Sequence, residues 1–354
     1  MNWKVDGGGW IEGGLSVTLL LAAAVLSAPA SAATIEEFVT PAADSSPTDL
    51  AFAPDGVLWF TMINANKIGK LEPDRVQPGT SQGITEYPAP RPNSKPHYIT
   101  VARDGMVWFS EMAGNRITRL DPRTGQFKGF AIPSPRSEPH RLVEDEDGFI
   151  WFLEFAANKV GRLDPASGSI REFSVGEGHP HGIAKVGREV WFTLGGKFWA
   201  QVFFNRLGVL NLDTGKVRTI TVPPAKSVPH GMTATAARTV WFTQMFASKL
   251  GRVHPDGRSF DEFLLGPRRG PHGLVVDAKR NRVWFTAGRP DAIGMLDLTR
   301  AQPGAGAGVE FFNLPHKGSH PSQIVVGPDG SVWFTEMGLY FRGRYANRIG
   351  HLIP

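Results

Sequence analysis

The chain has 354 residues, 41% of them hydrophobic, and 38 Lys and Arg against 33 Asp and Glu give it a formal charge of +5. That length and apolar content suit one closed β domain, and no Pro/Ser-rich linker divides it. The absence of cysteine excludes thiolate catalysis, thiolate metal sites and disulfides. The modest charge is spread around the chain without an RNA- or DNA-binding motif, which excludes a nucleic-acid partner.

The first segment is predicted to be an export signal. Leu15 to Leu26 is an apolar run of signal-peptide length, too short for a membrane span, and Ala30-Ser31-Ala32 supplies the small residues of a cleavage site. Lys4 is the only basic side chain before it, opposed by Asp6 and Glu12. Residues 1–32 are therefore read as a signal and 33–354 as the mature domain. The protein is expected to be secreted or periplasmic, monomeric, and without a membrane span once the signal is removed.

From there the chain repeats. Trp-Phe closes an apolar run at Trp59, Trp108, Trp151, Trp191, Trp241, Trp284 and Trp333, at the roughly 40- to 50-residue period of a four-stranded propeller blade. Each unit opens with Pro-His-Gly or a relative and an apolar stretch. A tight turn such as Asp104-Gly105 or Asp147-Gly148 follows, where glycine supplies the positive φ of a hairpin. The second strand is the Trp-Phe segment, rich in residues that favour strands. A third strand reads Asn158-Lys159-Val160-Gly161-Arg162-Leu163, and a fourth Ile170-Arg171-Glu172-Phe173. No helical periodicity intervenes, so each unit reads as one antiparallel sheet. The last unit stops at His351-Leu352-Ile353-Pro354, after its third strand. The segment Ile35-Glu36-Glu37-Phe38-Val39 resembles a fourth strand. Lending it to the last blade would close the ring and remove two sheet edges. An open solenoid would need polar caps, and none is visible. The expected architecture is an all-β, seven-bladed β-propeller of four-stranded antiparallel blades, closed by an N-terminal strand. The Trp-Phe pairs are assigned to packing between blades.

Strand direction places the chemistry. The Pro-His turn opens the channel-lining strand, and the second strand returns to the same end of the channel. The pairs expected at that mouth are Asp49 with Met62, His97 with Glu111, His140 with Glu154, and His181 with Leu194. They continue with His230 and Gln244, His272 and Ala287, and Ser322 or Gln323 with Glu336. Five imidazoles and three carboxylates would gather in a concave site, as metal binding and acid–base chemistry require. A His recurring in a repeat can equally be structural, its ring bonded to the backbone of the next blade. One unit departs from the rest: Glu138 precedes His140, and Glu154 follows on the return strand. Two carboxylates and an imidazole suit a hard divalent ion such as Mg²⁺, with Glu138 and Glu154 as ligands. Two aromatic insertions, residues 195–204 and 337–345, leave from the same end. They would either form an adhesive rim for an apolar ligand or fold over the mouth.

Repeated Pro-His-Gly-Ile, Trp-Phe-Thr-Glu, Asn-x-Ile-Gly-Arg-Leu-Asp and Glu-Phe resemble the virginiamycin B lyase (streptogramin B lyase) family over essentially the whole chain after the signal. The resemblance implies elimination rather than hydrolysis: a base removes a proton α to a carbonyl, Mg²⁺ stabilises the enolate-like charge, and an ester carboxylate of a cyclic depsipeptide leaves. Matched by motif, the family's site residues fall on Glu138, His140, Glu154 and His97, and its further His falls near Ala157. Matched by position, they fall on His230 and His272 in late repeats, with Gly270 and Ala287 where the family has acids. Two other readings remain open. One is a non-catalytic exported propeller binding a cell-envelope ligand or protein. The other is a lactonase-like hydrolase, a class that usually binds Ca²⁺ in the channel.

Overall fold

The computed structural model describes residues 33–197, 200–339 and 343–354, the side chains of Arg344 and Tyr345 apart. The expected signal at 1–32 lies outside them. The described residues form seven four-stranded antiparallel sheets in a ring, and six of the sheets use four consecutive strands. The seventh takes its outer strand from the other end of the chain: Thr34–Val39 pairs with Arg344–Ile353, and Phe38 lies opposite Ile349. The closure read from the sequence is thus present. No helix among the described residues is long and apolar enough to cross a membrane.

The repeated motif is explained by one packing unit. The Phe of each Trp-Phe pair lies opposite a residue of the third strand that is glycine in six blades: Gly69, Gly161, Gly208, Gly251, Gly294 and Gly350. A Cβ at Gly161 would stand 2.1 Å from the Phe152 ring. The ring therefore occupies the space a side chain would need. Blade 2 alone places Thr118 there, opposite Phe109. The Trp turns to the other face. In six blades it packs under an aromatic of the outer strand, as Trp151 does on Phe173 at 5.9 Å, and in blade 4 Trp191 meets Ile220 instead; its other contacts are with the next blade's core. Phe38 takes the same place on Trp333, stacked at 5.5 Å, so the N-terminal strand reproduces a fourth strand in side-chain detail as well as in register.

Neighbouring blades are also joined beside the channel. The Thr after Trp-Phe donates to the carbonyl of the next blade's first strand: Thr61 to His97 (2.7 Å), Thr193 to His230 (2.7 Å), Thr243 to His272 (3.0 Å), Thr286 to Ser322 (2.9 Å) and Thr335 to Thr48 (3.1 Å). Each bond fixes the height of one Pro-His turn against its neighbour.

Gly161→Ala is expected to destabilise by about 1–3 kcal/mol through overpacking. Phe38→Ala is expected to cost about 3–5 kcal/mol because it empties a core position at the closure. Urea unfolding of both variants checks this, and midpoints equal to the parent's would contradict it.

Candidate site at the histidine mouth

Every channel-lining strand begins at a proline, and the residue before it is left-handed in all seven blades. These are Ser46, Lys95, Glu138, His179, Val228, Gly270 and His320, with φ between 44° and 58°. Six of the seven are not glycine, in a region that side chains rarely adopt, so the fold must hold them there. Part of the restraint comes from the preceding blade. Asn66 Oδ1 accepts from Ser94 Oγ and Lys95 N, and Asn115 Oδ1 from Ser137. Asn158 Oδ1 accepts from His179 N at 2.8 Å, and Ser248 Oγ from Arg269 N. In blade 6 the clamp is an acid: Asp291 accepts from Gly318 N at 2.7 Å and His320 N at 2.8 Å. This is the role of the Asn in the repeated third-strand motif.

The kinked turns bring the five histidines into one arc. Successive ring centroids lie 4.6 Å apart for His97 and His140, 5.4 Å for His140 and His181, 4.5 Å for His181 and His230, and 3.9 Å for His230 and His272. The first four are buried, and His272 is half-buried. Burial removes water that would stabilise an imidazolium. It holds His97 and His272 at about 3 and His181 at about 4, and takes His140 and His230 well below the usual 6.5. The arc is therefore neutral at physiological pH. Some of it is structural as well: His140 Nδ1 lies 3.5 Å from the His181 carbonyl, and His181 Nε2 lies 2.8 Å from the Gly196 carbonyl in the first insertion. His272 Nδ1 lies 3.1 Å from the Ser322 carbonyl and 3.4 Å from the Gln323 amide nitrogen; the shorter contact is to an acceptor, which draws the proton to Nδ1 and leaves Nε2 its lone pair.

Below the arc sits a second layer, contributed by the residue after each His position. Arg141 donates to Gln323 Oε1 on the far side of the channel and lies 5.0 Å above the Tyr98 ring. Its positive charge lowers four of the five imidazoles further. Asp49 belongs to this layer, accepting from Ile99 N at 3.0 Å. The register pairs Pro47, not Asp49, with Met62, so Thr48 is the counterpart of the histidines, and Ser322 fills the same place in blade 7. The expected pairing of Asp49 with Met62 is thereby corrected. One residue of sequence offset had hidden the deeper layer. Under it lies a channel cavity of about 290 Å³, lined by Asp49, Arg141 and Gln323 and by aliphatic side chains such as Ile183 and Leu274.

The carboxylates expected at the mouth do not join the imidazoles. Pro96, Pro139 and Pro321 do pair with Glu111, Glu154 and Glu336, but the side chains turn into the blade flank. Glu111 accepts from Thr118 Oγ1. Blade 5 shows what the position is built for. Gln244 Nε2 donates to Glu262 Oε1 at 2.7 Å, and Lys249 Nζ donates to the other oxygen at 2.7 Å. Glu154 stands in the place of that amide beside Glu172 and Lys159, fully buried, with no donor to either oxygen. Glu336 is buried in the same position beside Glu37, with the Ser319 hydroxyl near it. Burial, and then the neighbouring carboxylate, push Glu154 up to about 8; burial raises Glu336 to about 8 as well. A protonated carboxyl donates where Gln244 donates its amide. Glu138, on the outer turn, lies near His179 instead. Among the described residues no three His, Asp or Glu side chains form a group able to hold a metal ion. Glu138, His140 and Glu154 therefore do not offer the Mg²⁺ cluster that their sequence proximity suggested, and Gly270 and Ala287 carry no ligand atoms on their side chains.

Sequence reasoning left His320 and His179 outside the set, yet both sit on the pre-proline turn that rims the arc, and both flank it: His320 lowers His272 electrostatically, and His179 lowers His181. The signal was available as the position before each Pro, which recurs as regularly as the histidine after it. In the first insertion, Phe203 packs on Phe246 at 5.4 Å, and Val202 and Phe246 are exposed. The remainder of both insertions lies partly outside the described residues.

The chain matches the virginiamycin B lyase family over residues 30–200 and 194–352, and it belongs to that family. A virginiamycin B lyase of Nocardia farcinica is 40% identical over 62 residues, 18% of this chain and 22% of that protein. The selenomethionine-substituted virginiamycin B lyase of Staphylococcus aureus superposes with a TM-score of 0.77 at 27% identity, covering 91% of this chain and 100% of that one. A catalytically inactive histidine-to-alanine variant of that enzyme with quinupristin gives 0.76 at 26% identity, covering 91% and 100%. A streptogramin B lyase structure gives 0.77 at 28% identity, covering 91% and 97%.

The buried carboxyls make stability pH-dependent. Their folded pKa values, about 8, lie above the ordinary 4.5. The folded state therefore holds protons that the unfolded chain releases, and stability falls as pH rises from about 4.5 through about 8. Glu154→Gln, which copies blade 5, is expected to raise stability at pH 8 and flatten this slope. Thermal midpoints at pH 5 and pH 8 check it, and a variant less stable than the parent at pH 8 would contradict the protonated carboxyl.

Proposed function

We propose that the protein is a virginiamycin B lyase-like enzyme that opens a cyclic depsipeptide or a related ester by C–O elimination, with its chemistry on blades 6 and 7. The observation that carries this reading is His272. It is the half-buried member of the arc, and its Nδ1 on the Ser322 carbonyl leaves Nε2 free to accept a proton. It also belongs to the late repeats in which the family resemblance sets the site. His230 packs on it at 3.9 Å. His140, by contrast, is enclosed by His97, Tyr98, Phe155 and His181, and His97 is buried with it.

In this reading the base takes the proton α to the carbonyl of the ester-bearing residue. The C–O bond breaks with its electron pair on the carboxylate, and a C=C bond forms. A bound Mg²⁺ would stabilise enolate charge, but the residues at the mouth do not fit one, so no step is assigned to it. Arg141 is the fixed positive charge nearest the arc, and hydrogen-bond donors at the rim carry the rest. A proton acceptor held at about 3 is a weak base. Turnover is therefore expected to be slow compared with an enzyme whose base is poised near neutrality. Export to the periplasm or medium fits the apolar leader.

The missing acids also favour a second reading, in which the same mouth binds a cell-envelope ligand without turning it over. The lactonase-like reading lacks support, because the channel carboxylate, Asp49, is engaged by Ile99 N beside Arg141.

Incubation with a type B streptogramin, followed by mass spectrometry, is expected to give a linear product of unchanged mass. His272→Ala is expected to lower the rate by about 10²–10⁴-fold and His140→Ala by less. A product heavier by one water would point to hydrolysis. Binding without product would favour the second reading, and a larger loss with His140→Ala would move the chemistry to blades 2 and 3.

A further inference from the structure

Elimination has two ends, and the arc accounts for one. Something must also meet the ester oxygen as the C–O bond breaks. His320 stands at the rim of the same two blades, and four independent features place it there. Its left-handed φ of 44° belongs to the turn that rims the mouth. Its ring lies over Gly288, where a Cβ would come within 2.9 Å of Cε1, so the glycine is what admits the ring. Its backbone N–H is clamped by Asp291 at 2.8 Å, a carboxylate where blades 1, 2 and 3 use Asn and blade 5 uses Ser. Next to it, a Cβ added at Gly270 would meet nothing within 4 Å, so the rim is open at that point.

Resting on the lyase reading above, we propose that His320 is a catalytic residue that meets the leaving group: a ring N–H hydrogen-bonds to the ester carboxylate as it departs. The proton from carbon goes to His272, the electron pair of the broken C–O bond stays on the carboxylate, and His320 transfers nothing. The two imidazoles differ in their neighbours, Asp291 standing beside His320 alone. His272 is held neutral by burial, by His320 and by Arg141. Burial holds His320 below the ordinary 6.5 as well, and the charged groups facing it are Asp291, which favours its protonated form, Arg289, which opposes it, and His272; the Gly288 backbone, hydrogen-bonded to the ring, acts in the same direction as Asp291. Asp291 thereby strengthens the imidazole as a hydrogen-bond donor, and the clamp is acidic in the blade where that donor is needed.

The test uses the full-length mature protein, a type B streptogramin, and histidine C2-proton exchange read by mass spectrometry, which reports each imidazole's titration without turnover. His320→Ala is expected to lower kcat about 10- to 100-fold with little change in KM, and His320→Gln, which keeps an N–H, to recover part of the loss. Asp291→Asn is expected to lower the His320 pKa and shift the kcat profile with it. Saturating streptogramin is expected to slow exchange at His320. A parent that turns over while His320→Ala keeps its kcat overturns the proposal and leaves the lyase reading standing. A parent that binds without turnover defeats the lyase reading. In that case, unchanged exchange at His320 under saturating ligand overturns the contact as well.

Discussion

The ring depends on a phenylalanine lying flat where a side chain has been removed. In six blades the third strand gives up its Cβ to the Phe of Trp-Phe, and the adjacent Trp is thereby left to fill the gap between blades. Seven such wedges set the spacing of the sheets. The Thr that follows then reaches across to the next blade's first strand. The height of each Pro-His turn, and with it the position of each imidazole, is inherited from this packing. Thr118 in blade 2 shows the tolerance: its hydroxyl is taken up by Glu111, and Phe109 keeps the edge contact with its fourth strand, to Phe127, that Phe242 and Phe285 make over glycine.

The same packing decides the chemistry of the mouth. Imidazoles drawn into a ring only 4–5 Å apart exclude water from one another, and burial then makes the charged form expensive. Arg141 pushes in the same direction from below. A site of this kind supplies lone pairs and N–H groups rather than charge. The carboxylates that would have balanced it are committed elsewhere: Glu111 to the Thr118 hydroxyl, and Glu154 and Glu336 to flank networks in which a Lys or Arg and a Glu of the outer strand ask for a donor, not an acceptor.

Much of this was legible in the sequence. The Trp-Phe period, the Asp-Gly turns and the unpaired last unit specified the blade count and the closing strand, because each is a local pattern with one geometric meaning. The common mouth of His97, His140, His181, His230 and His272 followed from strand direction alone. Side-chain direction did not. Glu154 and Pro139 are paired in register, but the carboxyl lies beside Lys159 and Glu172 of its own blade, and only the Gln244 to Glu262 bond reveals what that position is built for. Asp49 looked like a histidine substitute because the bulge after each proline leaves a one-residue ambiguity. His320 was passed over because it precedes the proline, and a left-handed turn is invisible where no glycine marks it.

The proposed ester chemistry sits on blades 6 and 7, at His272 and the rim beside it, and not at the acid-bearing motif of blade 3. A crystal structure of His272→Ala with a type B streptogramin tests this most directly. The ester-bearing residue is expected over Gly270 and Gly288, with its α-carbon facing the vacated imidazole position and its ester oxygen within hydrogen-bonding distance of His320. A depsipeptide ring seated instead over Glu138 and His140, with its ester facing Phe155, would contradict it.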